Sequence, residues 1–179
     1  MKRALLLLAL IGAAGCNPQP PKNAPAPATS SPTPTGAPPI DITGKGTSAN
    51  PVRISAQNGN RRVYQVRANS YHSHSAQNAA NANFAQPTVT FYAKDGTTMT
   101  ATSPTASVQG KYVVLSGGVH AKTSGGLTLT CDKLTYSQSS ETIAGDGNVR
   151  ITGMQGGQRQ MLTGNHFTSD VKLTNMVIQ

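Results

Sequence analysis

The stretch Leu127-Thr-Leu-Thr-Cys-Asp-Lys-Leu-Thr-Tyr136 decides the fold, because its apolar and polar residues alternate as in a half-buried β-strand. Similar period-two segments recur from Val63 onward. Turn signals such as Asp95-Gly96 and Gly125-Gly126 separate these segments. No window of a dozen residues has the 3.6-residue period of an amphipathic helix. The sequence therefore predicts an all-β fold.

The spacing of the segments indicates an internal repeat. Val89, Val119 and Val149 lie 30 residues apart, and each opens an alternating segment. Leu129-Thr-Cys-Asp-Lys-Leu-Thr135 is matched by Leu162-Thr-Gly-Asn-His-Phe-Thr168. Self-similarity at this period is typical of stacked β-units that bury their apolar faces only against their neighbours. We therefore predict a β-jelly-roll or short solenoid-like stack of antiparallel strands, which forms an apolar trough.

The alternation assigns fourteen apolar side chains to one shared interior. Such a set either closes as a dry core or lines a trough that admits a lipid-like ligand, and the pattern leaves both alternatives open. The predicted interior residues are Val89, Phe91, Met99, Val114, Val119, Leu127, Leu129, Leu134, Tyr136, Val149, Ile151, Phe167, Val171 and Leu173.

The N-terminus has the pattern of a secretory signal. Met1-Lys-Arg3 is basic, and the apolar run Ala4 to Ala14 is shorter than the ~20 residues that span a bilayer, so residues 1–15 are predicted to be a signal peptide. Ala13-Ala-Gly-Cys16 resembles a bacterial lipobox, in which the cysteine is acylated. We therefore expect lipidation at Cys16. An ordinary cleaved signal with an incidental cysteine is the alternative.

Proline-rich sequence follows the predicted signal. Nine of the twelve prolines lie between Asn17 and Pro39, and large aliphatic residues are scarce in this region. Such a segment cannot bury enough apolar surface to offset its chain entropy. Residues 16–50 are therefore expected to comprise the lipidated cysteine and a disordered linker, and residues 51–179 to form the β domain.

The chain is strongly basic. Fifteen Lys and Arg residues stand against six Asp and Glu residues, and residues 51–179 keep eleven basic and five acidic side chains. One cluster suits contact with anionic lipid head groups, although an exposed face that protects a sheet edge is the alternative; it consists of Arg53, Arg61, Arg62 and Arg67. No RNA- or DNA-binding motif accompanies the charge, so nucleic acid is not an expected partner.

Catalytic motifs are absent from the sequence, and we predict neither an enzyme nor a cofactor. There is no G-x-S-x-G, H-E-x-x-H, G-x-x-x-x-G-K or C-x-x-C pattern. His72 and His74 would share a strand face, but they lack a nearby acid or cysteine and lie beside Gln77 to Gln86, which is typical of a loop. We therefore predict no metal site. Cys131 is expected to be a small buried residue and not a reactive thiol.

An ordered set of short segments resembles the LptC family and the related LptA/OstA-like β-repeat proteins. The segments are Gln86-Pro-Thr-Val-Thr-Phe-Tyr-Ala-Lys-Asp-Gly96, Val114-Leu-Ser-Gly-Gly-Val119, Leu127-Thr-Leu-Thr130, Leu134-Thr-Tyr136, Gly147-Asn-Val149 and Leu162-Thr-Gly164. The resemblance implies a β-jelly-roll trough that accepts lipopolysaccharide from an inner-membrane ABC transporter of the LptB, LptF and LptG type. It also implies that the lipid passes to an LptA-like protein through a strand edge.

One feature departs from the family pattern. LptC-type proteins usually carry a transmembrane anchor, whereas this chain has the predicted lipidated Cys16 and a Pro-rich linker. We therefore expect a lipid-anchored protein at the periplasmic face of the inner membrane, with the outer membrane as the alternative. The expected ligand is lipopolysaccharide or a related outer-membrane lipid. An LptA-like bridge, or a structural β-repeat lipoprotein with a dry core, remains the alternative function.

Overall fold

The computed structural model describes residues 40–47, 49–76, 79–155 and 157–179. These residues form strands and turns without any helix, which confirms the all-β prediction. Nothing in these ranges is a helix that could cross a membrane. The predicted signal peptide, Cys16 and most of the predicted linker lie outside the described residues.

Thirteen antiparallel strands make up the described fold. In chain order they are β1 Ile40–Lys45, β2 Val52–Asn58, β3 Arg61–Ala68, β4 Ser70–Ala76, β5 Ala79–Ala85, β6 Thr88–Tyr92, β7 Thr98–Thr102, β8 Thr105–Gln109, β9 Tyr112–Thr123, β10 Thr128–Ser137, β11 Thr142–Gln155, β12 Gln158–Asp170 and β13 Val177–Ile178.

The sheet divides at β9. The first half of β9 pairs with β8, and the second half pairs with β7, while β10 pairs along both halves. One branch, β2-β3-β6-β7, continues through the second half of β9 and is called the first layer. The other branch, β1-β4-β5-β8, continues through the first half and is called the second layer. β10, β11 and β12 run through both layers, and the sheet does not close.

The strands β9 and β11 change layer at bulges that contain glycine. Gly117 and Gly118 in β9 have φ angles of +91° and +94°, and Gly147 in β11 has a φ of +73°. The pairing of β9 with β10 and of β11 with β12 shifts register at the same level. Bulges bend a strand and increase its twist, and glycine adopts positive φ without steric cost. The 30-residue spacing from Val119 to Val149 therefore marks one corner that occurs on both β9 and β11.

Replacing Gly117 by alanine should lower the free energy of unfolding by about 1–3 kcal/mol, because a non-glycine residue is strained at positive φ. Its added Cβ would also lie 3.2 Å from Cγ of Pro104. Urea unfolding followed by circular dichroism measures the loss. Gly125→Ala is the matched control, since its new Cβ would meet only Oγ1 of Thr123 at 3.7 Å. Equal losses from the two substitutions would contradict the special role of the corner.

The core lies between the two layers. Tyr136 of the second layer contacts Phe91 and Tyr64 of the first, with ring centroids 4.7 Å and 6.2 Å apart. Such aromatic pairs contribute about 0.5–1.5 kcal/mol beyond the area they bury. Arg61 of β3 forms an ion pair with Glu141 in the turn after β10, so a polar contact also joins the layers at their rim.

Two segments form strands where the sequence indicated none. β1 lies within residues 16–50 yet pairs along its whole length with β4, so the folded region begins earlier than residue 51. β5 lies within the segment from Gln77 to Gln86, and the loop prediction there is wrong. Alanine and asparagine have low strand propensity, but β5 pairs with β4 on one side and β8 on the other, and Phe84 is buried. Tertiary pairing of this kind overrides propensity.

Candidate functional site

Twelve of the fourteen predicted interior side chains are buried between the layers. They come from six strands and from the segment after β12. Their packing forms the centre of one continuous apolar cluster. The buried residues are Val89, Phe91, Met99, Val119, Leu129, Leu134, Tyr136, Val149, Ile151, Phe167, Val171 and Leu173.

Val114 and Leu127 differ from the other twelve. Val114 is half-buried on the outward face of the second layer, because its neighbours Val113 and Leu115 take the interior positions. It borders a hollow of about 560 Å³ on that outer face, so its predicted interior placement is corrected. Leu127 is half-buried and packs against the edge of the core, at the end of the interior.

Several buried residues were not predicted from the sequence. Val113, Val114 and Leu115 form a continuous apolar run without alternation, so the sequence did not show that Val113 and Leu115 face inward and Val114 outward. The remaining residues lie on strands whose alternation is broken by small or polar residues. They include Val63, Tyr64, Val66, Ala68, Phe84, Ala101, Ala106, Ala121 and Ile143.

The hydroxyl of Tyr136 is a polar group inside this apolar space. It is buried and has no hydrogen-bond partner among the described residues. Burial, and then the negative charge of Glu141, raises the pKa of Tyr136 to about 12, so the phenol stays protonated at neutral pH. A buried hydroxyl without a partner costs roughly 1–3 kcal/mol. The group is therefore a donor that an ester or hydroxyl oxygen of a ligand would satisfy.

Cys131 is buried, as the sequence predicted. Burial, and then the charges of Asp132 and Asp146, raises the pKa of its thiol to about 12. The thiolate is the reactive form of cysteine, so this side chain is a packing residue at neutral pH.

The interior opens at one end into a mouth. A cavity of about 510 Å³ lies between β9, β11, β12 and the segment after β12. Its apolar lining includes Leu127, Ile151, Leu162 and Met176, and Leu162 is 41% exposed. Ligand pockets of roughly 300–1,000 Å³ with predominantly apolar walls are typical of small-molecule sites. The mouth therefore has room for part of an apolar chain next to the closed core.

A cation stands at this mouth. Nζ of Lys172 lies 3.3 Å from Oδ2 of Asp95, and Lys172 lines the same cavity as Leu162. Both side chains of the pair are partly exposed, so the ion pair is solvated and contributes little to stability. Lys172 is placed where it can exchange this carboxylate for another anionic oxygen.

The predicted head-group arginines differ in their exposure and contacts. Arg53 and Arg67 are exposed and lie directly opposite each other on β2 and β3. Arg62 is exposed, with its guanidinium 5.7 Å from the ring centre of Tyr92. Arg61 instead binds Glu141 and the carbonyl oxygen of Tyr92, so it makes a structural contact, and its head-group role stays a prediction.

His72 and His74 lie two residues apart on β4, and both are exposed. Nδ1 of His72 is 3.2 Å from Oγ1 of Thr43 on β1. In the part of the chain that the structure describes, no group of three or more His, Cys, Asp or Glu side chains could hold a metal ion. This pair therefore stays a feature of the β1-β4 surface.

Comparison with protein families identifies the chain. The family model described as lipopolysaccharide-assembly, LptC-related, matches residues 5–178. No curated protein gives a significant match. The family is not enzymatic, acts in lipopolysaccharide transport and is located in the cell envelope near the inner membrane. The two-layer β fold and the match over nearly the whole length agree, and the chain belongs to the LptC family.

Proposed function

We propose that this protein accepts lipopolysaccharide, or a related outer-membrane lipid, from an inner-membrane ABC transporter of the LptB, LptF and LptG type. The lipid then passes to an LptA-like bridge. The observation that carries the proposal is the apolar interior, which continues into the mouth around Leu127 and Leu162. Photo-crosslinking of lipopolysaccharide from Phe167 and Leu129 in cells tests it.

The mouth supplies both kinds of contact that such a lipid needs. Leu127, Leu162 and Met176 offer apolar surface to an acyl chain, and burial of each CH₂ group contributes about 0.8 kcal/mol. Lys172 lies within the same lining and offers a charge to a phosphate. We infer that an acyl chain enters here while the phosphorylated head group stays at the rim.

Entry beyond the mouth requires the layers to separate. Phe91, Tyr136 and Phe167 have no exposed surface, and the rings of Phe91 and Tyr136 are in contact across the layers. A lipid with several acyl chains therefore needs a wider interior than this closed state offers. The acyl chains would cover the apolar side chains that lose their contacts when the layers separate. The hydroxyl of Tyr136 would donate a hydrogen bond to an ester oxygen of the lipid.

The C-terminal edge is the proposed contact with the LptA-like partner. β13 pairs with β12 on one side, and no described strand lies on its other side. Gln179 exchanges both of its backbone hydrogen bonds with His166, so in the alternating antiparallel pattern Ile178 presents its N–H and C=O away from β12. An added strand of the partner would bind these groups.

Val177→Asp should weaken binding to an LptA-like protein by about tenfold, because a charge on an edge strand opposes pairing with another strand. Val177 is 62% exposed, so the domain should still fold. Affinity measured with the two purified proteins checks the result. Thr168→Asp adds the same charge directly opposite Val177 on β12, which is already paired on both sides. Equal weakening by the two variants would remove this edge from the proposal.

We also propose that the protein is attached to the periplasmic face of the inner membrane through an acylated Cys16, with outer-membrane attachment as the alternative. The sequence Ala13-Ala-Gly-Cys16 and the Pro-rich linker that follows support this anchor. Metabolic labelling with a palmitate analogue tests it, since Cys16→Ser should abolish the label.

A structural β-repeat lipoprotein is the second candidate function. The observation in its favour is the dense packing of the interior, in which Phe91, Met99, Leu134 and Phe167 are all fully buried. In this case the mouth is a surface hollow and the layers never separate. A third candidate, an LptA-like bridge, would use both sheet edges and would be found apart from the transporter.

A further inference from the structure

The outer face of the first layer carries an unusual distribution of charge. Cross-strand pairs place one residue from each of eight strands in a continuous row. The residues next to this row on β3 and β11 are buried, so the side chains of the row point away from the core. The row consists of Arg53, Arg67, Thr88, Thr102, His120, Thr130, Arg150 and Thr163. At about 4.8 Å per strand, it spans roughly 30 Å from β2 to β11.

Neighbouring rows add further cations to the same face. All six basic side chains are exposed, and the acidic residue next to the row is Asp132, which follows Thr130 by two residues at the corner of β10. Residues 51–179 hold eleven basic and five acidic side chains, so six of the eleven cations lie on this single face. The six are Arg53, Arg62, Arg67, Lys122, Arg150 and Arg159.

Each acidic side chain of residues 51–179 has a partner other than the six cations. Glu141 binds Arg61, Asp95 binds Lys172 and Asp146 contacts His166. Asp132 accepts a hydrogen bond from Asn148, and Asp170 accepts one from Thr174. In the described part of the chain, none of these five carboxylates forms an ion pair with one of the six cations.

Two of these arginines lie so close together that their like charges repel each other. Arg53 and Arg67 are directly opposite on adjacent strands, and like charges in this arrangement destabilise a sheet. Neither has an ion-pair partner among the described residues. An external anion would relieve the repulsion, and cations spread over roughly 30 Å suit a surface of many phosphates better than a single small ion.

We propose that this face docks flat on a bilayer surface rich in anionic phospholipids. The threonines between the cations are short hydroxyl side chains, so they allow the sheet to approach the head groups closely. Docking holds the first layer against the membrane and leaves the outer face of the second layer in solvent. The inference does not depend on lipid entry into the interior, so the two proposals can fail separately.

Fluorescence quenching on the full-length chain tests the docking. The chain is reconstituted into vesicles of phosphatidylglycerol and phosphatidylcholine that contain a head-group nitroxide lipid, with a fluorophore attached through an encoded azide. A fluorophore at Thr100, within the proposed face, should be quenched. One at Thr168, which is exposed on the outer face of the second layer, should not be quenched. Vesicles of phosphatidylcholine alone should leave both unquenched.

Charge variants complete the test. Arg67→Gln with Arg150→Gln should lower the ratio of docked to undocked protein by about 30-fold, given the usual contribution of each basic residue near an anionic membrane. Lys111→Gln with Lys133→Gln removes the same charge from exposed positions outside the face and should have little effect. Equal quenching at Thr100 and Thr168, docking on uncharged vesicles, or equal losses in the two double variants would overturn the proposal.

Discussion

Phe167→Ala is expected to lower the free energy of unfolding by about 3–5 kcal/mol, the usual cost of truncating a fully buried phenylalanine. Phe167 has no exposed surface, and it pairs across the sheet with Gly145. A Cβ added at Gly145 would collide with the ring of Phe167, so this ring occupies the place of the absent side chain. No neighbour on that strand can fill the resulting cavity.

The neighbouring residue provides the control for this measurement. Thr168 is exposed on the opposite face of the same strand, and Thr168→Ala should change the free energy of unfolding by no more than about 0.5 kcal/mol. Urea unfolding of both variants gives the two values. A loss below about 1 kcal/mol for Phe167→Ala would mean that the layers do not pack on this ring.

Leu162→Asp is expected to weaken lipopolysaccharide binding by about 30-fold, because a carboxylate beside an acyl chain costs about 2 kcal/mol or more and also repels phosphate. Leu162 faces the interior, where it pairs with Ile151, and it lines the mouth. Its 41% exposure means that the domain should tolerate the change. Binding of purified protein to labelled lipopolysaccharide measures the effect.

Met161→Asp is the matched control for the mouth. Met161 precedes Leu162, pairs with Thr152 on the outer face and is 60% exposed. It receives the same charge within one residue of the first substitution, but on the other side of the sheet. If both variants bind equally well, or are equally impaired, the mouth around Leu162 is not the entry site.

The fold class could be predicted from the sequence because apolar and polar residues alternate where one face of a strand is buried. Val89, Phe91 and Val119 are buried as their spacing predicts, since one face of each strand must meet the core. The 30-residue repeat also marked the corner, because β9 and β11 both have glycine where they bend. These features depend on neighbours along the chain, which a sequence displays.

The remaining features depend on residues far apart in the chain. Val114 lies in a continuous apolar run, where pairing with the neighbouring strands decides which residue faces inward. β5 has the composition of a loop and becomes a strand because β4 and β8 satisfy its backbone on both sides. Pairing of this kind has no local signal, so Gln77 to Gln86 gave the wrong expectation.

The candidate site likewise combines features that the sequence pattern predicts with features that depend on distant residues. The apolar interior was predictable, but the mouth was not, since Leu127, Leu162 and Lys172 meet only after β9, β11 and β12 are assembled. The cluster of arginines between residues 53 and 67 could be recognised in the sequence. That Arg61 binds Glu141, whereas Arg150 joins Arg67 on one face, follows from strand register alone.

Photo-crosslinking in cells tests the central claim, which is that lipid occupies the space between the layers. A photoreactive residue replaces Phe167 or Leu129, whose side chains face the interior, and in parallel Thr168 or Thr135, which face outward on the same strands in the second layer. We predict a lipopolysaccharide adduct from the two interior positions and none from the two outward positions. Absence of adduct at Phe167 and Leu129, or equal adduct at all four positions, would contradict lipid transfer through the interior.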